Sequence, residues 1–260
     1  MPSPKIPDWR LPPGVTHSLW DYAQADHIAD DYDEYFAHNS LFEFDLAVLE
    51  RCFTRPGRIV DLGCGTGRLL VPFARRGFRG LAVDLSLPML RVVGEKGRAE
   101  SLPIDRLCVN MAELDCLKSQ SVDYCICMFS SLGMVRGRQN RQRVLAHVRR
   151  ILKPGGLFVL HVHNRWYNLT DPQGRWWVLK NQLAALWGGV DEAGDKIFDY
   201  RRIPNMYLHV FTRRELTTDL RDAGFRIREL IALDNQRRHA LSRPWLFGRL
   251  RANGWIAVCE

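Results

Sequence analysis

The chain has 260 residues, of which 46% are hydrophobic and 25% charged, enough for one α/β domain with a core of its own and a modest insertion. No apolar run approaches the roughly 18 residues a membrane helix needs, and no apolar segment follows the first residues as a secretory signal requires; a cytoplasmic protein with no membrane partner is therefore expected. The formal charge is +8, and 31 of the 37 basic residues are arginine, a side chain suited to phosphate and carboxylate, although a compositional bias gives the same count.

The prolines of Met1-Pro2-Ser3-Pro4-Lys5-Ile6-Pro7 predict a loose leader over residues 1–16. Residues 17–57 read as an N-terminal helical cap: Trp20, Tyr22, Ile28, Tyr32, Tyr35 and Phe36 sit among acids, and Phe44, Leu46, Val48, Leu49 and Phe53 form an amphipathic stripe. The remainder, 58–260, is the main domain. Strands are predicted at 58–62, 79–84, 105–110, 122–129 and 156–163, with helices at 67–76, 87–97 and 138–152. That alternation calls for a parallel sheet with right-handed crossovers.

The pattern breaks after His163. Residues 164–211 carry Trp166, Trp176, Trp177 and Trp187, and this aromatic-rich insertion after the fifth strand is expected to cap a substrate, with a hairpin over 196–211. A helix over 212–223 follows, opened by Thr212 and Glu215 as a capping box and stopped by Gly224. Strands at 225–233 and 255–259 flank a basic loop. The seven cysteines include no C-x-x-C pair, so no metal site is expected; Cys125 and Cys127 share one face of a strand, as core residues do.

One segment carries the chemistry. In Ile59-Val60-Asp61-Leu62-Gly63-Cys64-Gly65-Thr66-Gly67 a strand turns through three glycines toward a helix, which brings bare main chain up to a ligand. Asp84 closes the next strand about twenty residues on, where nucleotide sites hold ribose. Dinucleotide sites usually read G-x-G-x-x-G, unlike this spacing. The segment closely resembles motif I of class I S-adenosylmethionine-dependent methyltransferases. Asp84-Leu85-Ser86-Leu87-Pro88-Met89, Asn110-Met111-Ala112-Glu113, Ser121-Val122-Asp123-Tyr124 and Ile151-Leu152-Lys153-Pro154-Gly155-Gly156 are similar to that family's later landmarks, in its order.

The resemblance implies an α/β, Rossmann-like seven-stranded mostly parallel sheet with helices on both faces, its last two strands antiparallel, and S-adenosyl-L-methionine as cofactor. It places Gly63, Cys64, Gly65, Thr66 and Gly67 at the methionine end with Asp61 near the amino group. Asp84 accepts from the ribose hydroxyls, followed by Ser86 and Met89 of the same segment. Leu85 and Met111 sandwich the adenine, with Asn110 at its edge where the family more often has aspartate. Phe129 and Ser130 line the reacting side, and Tyr32 or Tyr35 faces the sulfonium, a cation–π contact.

Methyl transfer depends mainly on alignment and needs a base only if the acceptor must lose a proton. His163 and His209 are candidates for that role, with Tyr35 and Tyr207. Arginines 136, 138, 141 and 143, others at 165–202, and a third set at 237–251 could form a positive mouth. Three functions remain open. The first is a methyltransferase for a small, anionic or carboxylate-bearing molecule. The second is a tRNA methyltransferase esterifying a modified wobble uridine, loosely resembled by Tyr207 to Leu216 and Gly254 to Val258. The third is a non-catalytic sensor of the cofactor. Oligomeric state stays open.

Overall fold

The computed structural model describes residues 6–37, 41–189 and 191–260. Among the described residues, a 3-10 turn at Asp8–Arg10 and four α-helices precede the first strand: α1 (His17–Gln24), α2 (Asp26–Asp30), α3 (Tyr32–Ala37) and α4 (Leu41–Cys52). Thr16 caps α1 by accepting from the Leu19 amide, and the chain leaves helical geometry at Ala25 and Asp31, which divides the helical cap expected over 17–57. The alternation then runs β1 (Arg58–Leu62), α5 (Leu70–Arg75), β2 (Arg79–Asp84), α6 (Leu87–Ala99), β3 (Ile104–Cys108), β4 (Val122–Cys127), α7 (Arg138–Ile151) and β5 (Leu152–His163). The insertion contributes α8 (Pro172–Leu186) and the strands β6 (Asp195–Tyr200) and β7 (Ile203–His209). After it come α9 (Arg213–Asp222), β8 (Ile227–Ala232), α10 (Gly248–Arg251) and β9 (Gly254–Cys259).

Seven strands form one sheet in the order β3-β2-β1-β4-β5-β9-β8. The first five are parallel, and β9 lies antiparallel between β5 and β8. Side chains alternate between faces, as a pleated strand requires. Val60, Leu62, Cys125, Cys127, Phe158 and Leu160 meet Val144, Val148 and Ile151 of α7 and Leu216 and Leu220 of α9. Ile59, Ala82, Ile126 and Val159 meet Val48 and Leu49 of α4, Phe53 just after it, Phe73 of α5 and Val93 of α6. Cys125 and Cys127 are thus core residues, and all seven cysteines are unpaired.

The insertion is tied to the domain by charge. Its acids Asp191 and Glu192 meet α7 and the turn before it: Arg136 pairs with Asp191 at 2.6 Å, buried Arg141 with Glu192 at 2.5 Å, and the Arg138 amide donates to Glu192. His209 donates on both sides, to Asp195 at 2.8 Å and Glu215 at 2.6 Å. These two carboxylates hold the imidazole above its ordinary pKa against the opposing effect of burial, which is the largest single influence. Glu192, His209 and Glu215 are the metal-type cluster found among the described residues, and each already has a hydrogen-bond partner within this network.

Three expectations need correction. Helix α5 begins at Leu70 rather than 67 because Gly67 keeps a positive φ of 78°. The insertion carries α8, a helix of fifteen residues, which its aromatic composition concealed. The leader is held down over its last part: the Gly14 carbonyl accepts from the Arg136 amide at 2.8 Å, and the Pro13 carbonyl accepts from the Asn110 side chain at 2.9 Å.

Candidate active site

The carboxyl ends of β1, β2 and β4 open onto a cavity of about 340 Å³, at the point where strand order reverses and open α/β sheets bind ligands. One half of its wall is main chain. Gly63, Gly65 and Gly67 all have positive φ (70°, 52° and 78°), a region costly for residues with a Cβ. At Gly63 there is no room either, since a Cβ there would lie 2.7 Å from Ser131 Oγ. The loop is anchored by the Gly63 amide donating to the Val83 carbonyl at 2.8 Å.

Asp84 organises this half. Its Oδ2 accepts from the Gly65 amide and its Oδ1 from the Ser86 amide, both at 2.8 Å. Burial raises its pKa, opposed by those backbone donors. Asp61, directly behind the glycine loop and buried, is pushed up to about 8 by burial first and by Asp84 second. A site holding one buried and one half-buried carboxylate beside bare main chain suits a ligand with a cationic group and hydroxyls.

Asn110 departs from the family's aspartate for a visible reason. Its amide group donates to the Pro13 carbonyl, which an ionised carboxylate cannot do, while its Oδ1 accepts from the Ala112 amide at 3.2 Å. The residue therefore fastens the leader beside the cavity. Phe129 and Ser130 follow β4 in the left-handed region, with φ of 59° and 64°. Backbone of this kind persists where surrounding structure enforces it: Phe129 stacks on Phe42 at 5.3 Å, and Ser130 Oγ accepts from the His163 amide at 3.3 Å.

Helix α3 covers the glycine loop. Thr66 Oγ1 donates to Asp33 at 2.6 Å, and Lys96 joins Asp33 at 2.5 Å and the Thr66 carbonyl at 2.9 Å. The Tyr32 ring lies 3.6 Å from where a Cβ of Gly65 would stand, and its hydroxyl is held well above the ordinary pKa by burial, Tyr200 and Asp84.

The other half of the wall is apolar side chains. Leu19 and Tyr22 come from α1, Met134 and Val135 from the turn after β4, Phe198 and Tyr200 from β6, and Met206 and Leu208 from β7. Alternation along β7 decides which residues face in: Met206 and Leu208 reach the cavity, whereas Tyr207 and His209 point at Asp195.

Of the residues singled out from the sequence, Gly63, Gly65, Asp84, Leu85, Ser86, Met89, Asn110, Met111, Phe129, Tyr32 and His163 line this one cavity. Asp61, Cys64, Thr66, Gly67 and Ser130 are buried behind it or turned to other partners, and Ser131 takes the wall position expected of Ser130. His209 is corrected from candidate base to structural ion pair, fully buried on the far side of β7. Tyr35 is half exposed, with the Arg201 guanidinium 4.6 Å from its ring, and is not part of the wall. His163 lies at the wall, with burial and the Arg237 charge lowering its pKa to about 3; its ring stays neutral.

Of the arginines expected at a positive mouth, Arg136, Arg138 and Arg141 are paired with acids outside the cavity, and no arginine or lysine is among the described residues of the cavity wall. The sequence reading missed Leu19, Tyr22, Met134, Phe198, Met206 and Leu208. Period-2 spacing in 198–200 and 206–208 was the available signal.

Comparison with known proteins points one way. A family model described as a methyltransferase domain matches residues 33–230. YqeM of Bacillus subtilis, named as a candidate methyltransferase, is 32% identical over 136 residues, covering 52% of this chain and 54% of that protein; the chain spans about half the length of the curated relatives it matches. The CcbJ methyltransferase of Streptomyces caelestis superimposes with a TM-score of 0.65 at 20% identity, over 90% of this chain and 95% of that one. The 1,6-didemethyltoxoflavin-N1-methyltransferase of Burkholderia thailandensis, solved with 1,6-didemethyltoxoflavin and S-adenosylhomocysteine, gives 0.62 at 18% identity, over 93% and 86%. Likeness at those identities shows the fold.

Proposed function

Because the chain belongs to the methyltransferase-domain family, whose cofactor is S-adenosyl-L-methionine, we propose that it transfers a methyl group to a small, uncharged, mainly apolar molecule. The observation that carries this reading is the two-sided cavity: glycine amides and Asp84 on one wall, Phe198, Met206 and Leu208 on the other, and no described basic side chain between them. An acceptor bearing a free carboxylate would meet no arginine or lysine in the wall itself, only the more remote charges of Arg237 and Lys196 that act on His163, and would lose hydration that a neutral acceptor does not need. This favours a neutral acceptor over the anionic one suggested by arginine content.

The residues present fit the cofactor. Asp84 and the bare glycine loop suit a ribose and an amino-acid end, and Asp61 suits a cationic amine. Leu85 and Met111 would hold the adenine faces, Asp84 the ribose hydroxyls, the Gly63–Gly65 main chain the methionine end, and Tyr32 the sulfonium side. When bound, the cofactor supplies an electrophilic methyl on a cationic sulfur. The chain's own task is then to place the acceptor's lone pair in line and to exclude water. The apolar walls from β6, β7 and α1 do both. His163, held uncharged, offers the acceptor a hydrogen-bonding edge, and its low pKa makes it a positioning group and a weak base.

The test is transfer from radiolabelled S-adenosylmethionine to pools of neutral aromatic metabolites, acidic metabolites and total tRNA. Label in the neutral pool supports the reading. Label confined to acids or to tRNA overturns it, and tight cofactor binding with no label in any pool would make the protein a sensor.

A further inference from the structure

Helix α8 is apolar on two faces and packed on one. Val178 and Gly174 are buried, while Trp176, Leu179, Leu183 and Leu186 form an exposed stripe at helical spacing that continues into Trp187, 80% exposed. A second apolar group, Trp245, Leu246, Phe247 and Leu250, is also exposed. The two belong to one region: α8 and α10 both pack on the turn Arg165–Thr170, and the Asn164 side chain donates to the carbonyls of Arg249 and Ala252 at 2.8 and 2.7 Å. Neither segment contains an acid. From Pro172 to Gly189 and from Asn235 to Cys259 there is no Asp or Glu, whereas Arg175, Lys180, Arg243 and Arg249 are exposed. Lys180 sits 5.1 Å from the Trp176 ring.

We propose that α8 and the Trp245–Leu250 segment form a docking surface for an anionic lipid bilayer. Tryptophan and leucine set among cations, with no carboxylate within either segment to repel the headgroups, are what an interfacial surface uses. Two other occupants fit less well. A second copy would bring like charges face to face. RNA is read by stacking bases on rings, and Leu179, Leu183, Leu186 and Leu250 have none to offer. The expectation of no membrane partner concerned spanning segments, and no helix among the described residues is long and apolar enough to cross a membrane; surface docking needs none. An apolar acceptor cavity, as proposed above, agrees with such a location, but the docking surface stands independently of it.

The experiment is co-sedimentation of the full chain with phosphatidylcholine vesicles, with and without about 30 mol% phosphatidylglycerol, alongside tryptophan emission. The expected result is partitioning at least about tenfold stronger to the anionic vesicles, weakened by salt, with a blue-shifted emission. Leu186→Ser with Trp187→Ser, and separately Arg243→Glu with Arg249→Glu, should each reduce it about tenfold without changing affinity for S-adenosylmethionine. Protein left in the supernatant, equal binding to neutral vesicles, or unaltered binding by both double variants overturns the proposal. So does release from the vesicles by stoichiometric tRNA, or a concentration-dependent dimer that Leu186→Ser with Trp187→Ser abolishes.

Discussion

The two halves of the cavity are built by opposite means. The half floored by β1 and β2 is main chain and carboxylate, with the Gly63 and Gly65 turns fixed by positive φ and Asp84 clamped between two amides. The half formed by α1, β6 and β7 is apolar side chain from segments nearly two hundred residues apart, with Ser18 Oγ donating to the Asn205 carbonyl at 2.8 Å. Main-chain recognition tolerates few residue types, because only glycine fits the backbone and only a carboxylate accepts on both sides. An apolar wall asks only for volume. The first half is therefore set up for one ligand, and the second can be refitted to many.

The difference can be broken most severely at Asp84. Asp84→Ala should lower affinity for S-adenosylmethionine at least about a hundredfold by calorimetry, the loss of two charge-assisted hydrogen bonds, with the circular-dichroism spectrum preserved; affinity within threefold of the parent would remove this residue from the ribose role. Next is pH. Asp61 is protonated in the empty protein below about 8, and a cationic amine beside it favours the charged form, so binding releases a proton. Affinity should therefore rise between pH 6 and 8, by up to about tenfold per unit, and the rise should vanish in Asp61→Asn. A flat profile in the parent would place the amine elsewhere.

On the apolar side, Met206→Ala should lower kcat/KM for the acceptor about tenfold while the cofactor Kd changes less than twofold. A shift of both constants together would mean that the halves are not separable. The smallest effect is expected from Asn110→Asp, which restores the family's commoner residue. It should weaken cofactor binding only a few-fold, or about 1 kcal/mol, by removing the donor to Pro13 and placing a second carboxylate beside Glu113. Tighter binding would show that the leader contact costs affinity.

What the sequence disclosed follows the same division. The glycines, Asp84, the strand alternation of β1 to β5 and the Thr212 capping box all impose residue types at fixed spacing, and each was readable. The match of Met206 and Leu208 to the cavity depends on which face of β7 turns inward, and that is set by the packing of Tyr207 and His209 against Asp195 from another strand. The hold on the leader was hidden for a different reason: the carbonyls of Pro13 and Gly14 do the bonding, and a carbonyl leaves no trace in residue identity. Arginine content misled because Arg136 and Arg141 pair with acids of the insertion and Arg138 joins α7 to Asp219 of α9.

The contact between Arg201 and the N-terminal helices reaches further than its size suggests. At the β6–β7 turn its guanidinium donates to the Ile28 carbonyl and pairs with Asp31, two residues ahead of the Asp33 that secures Thr66. The β6–β7 turn and the helix laid over the glycine loop are therefore joined through one short stretch of chain, so that displacing either strains the hold on the other.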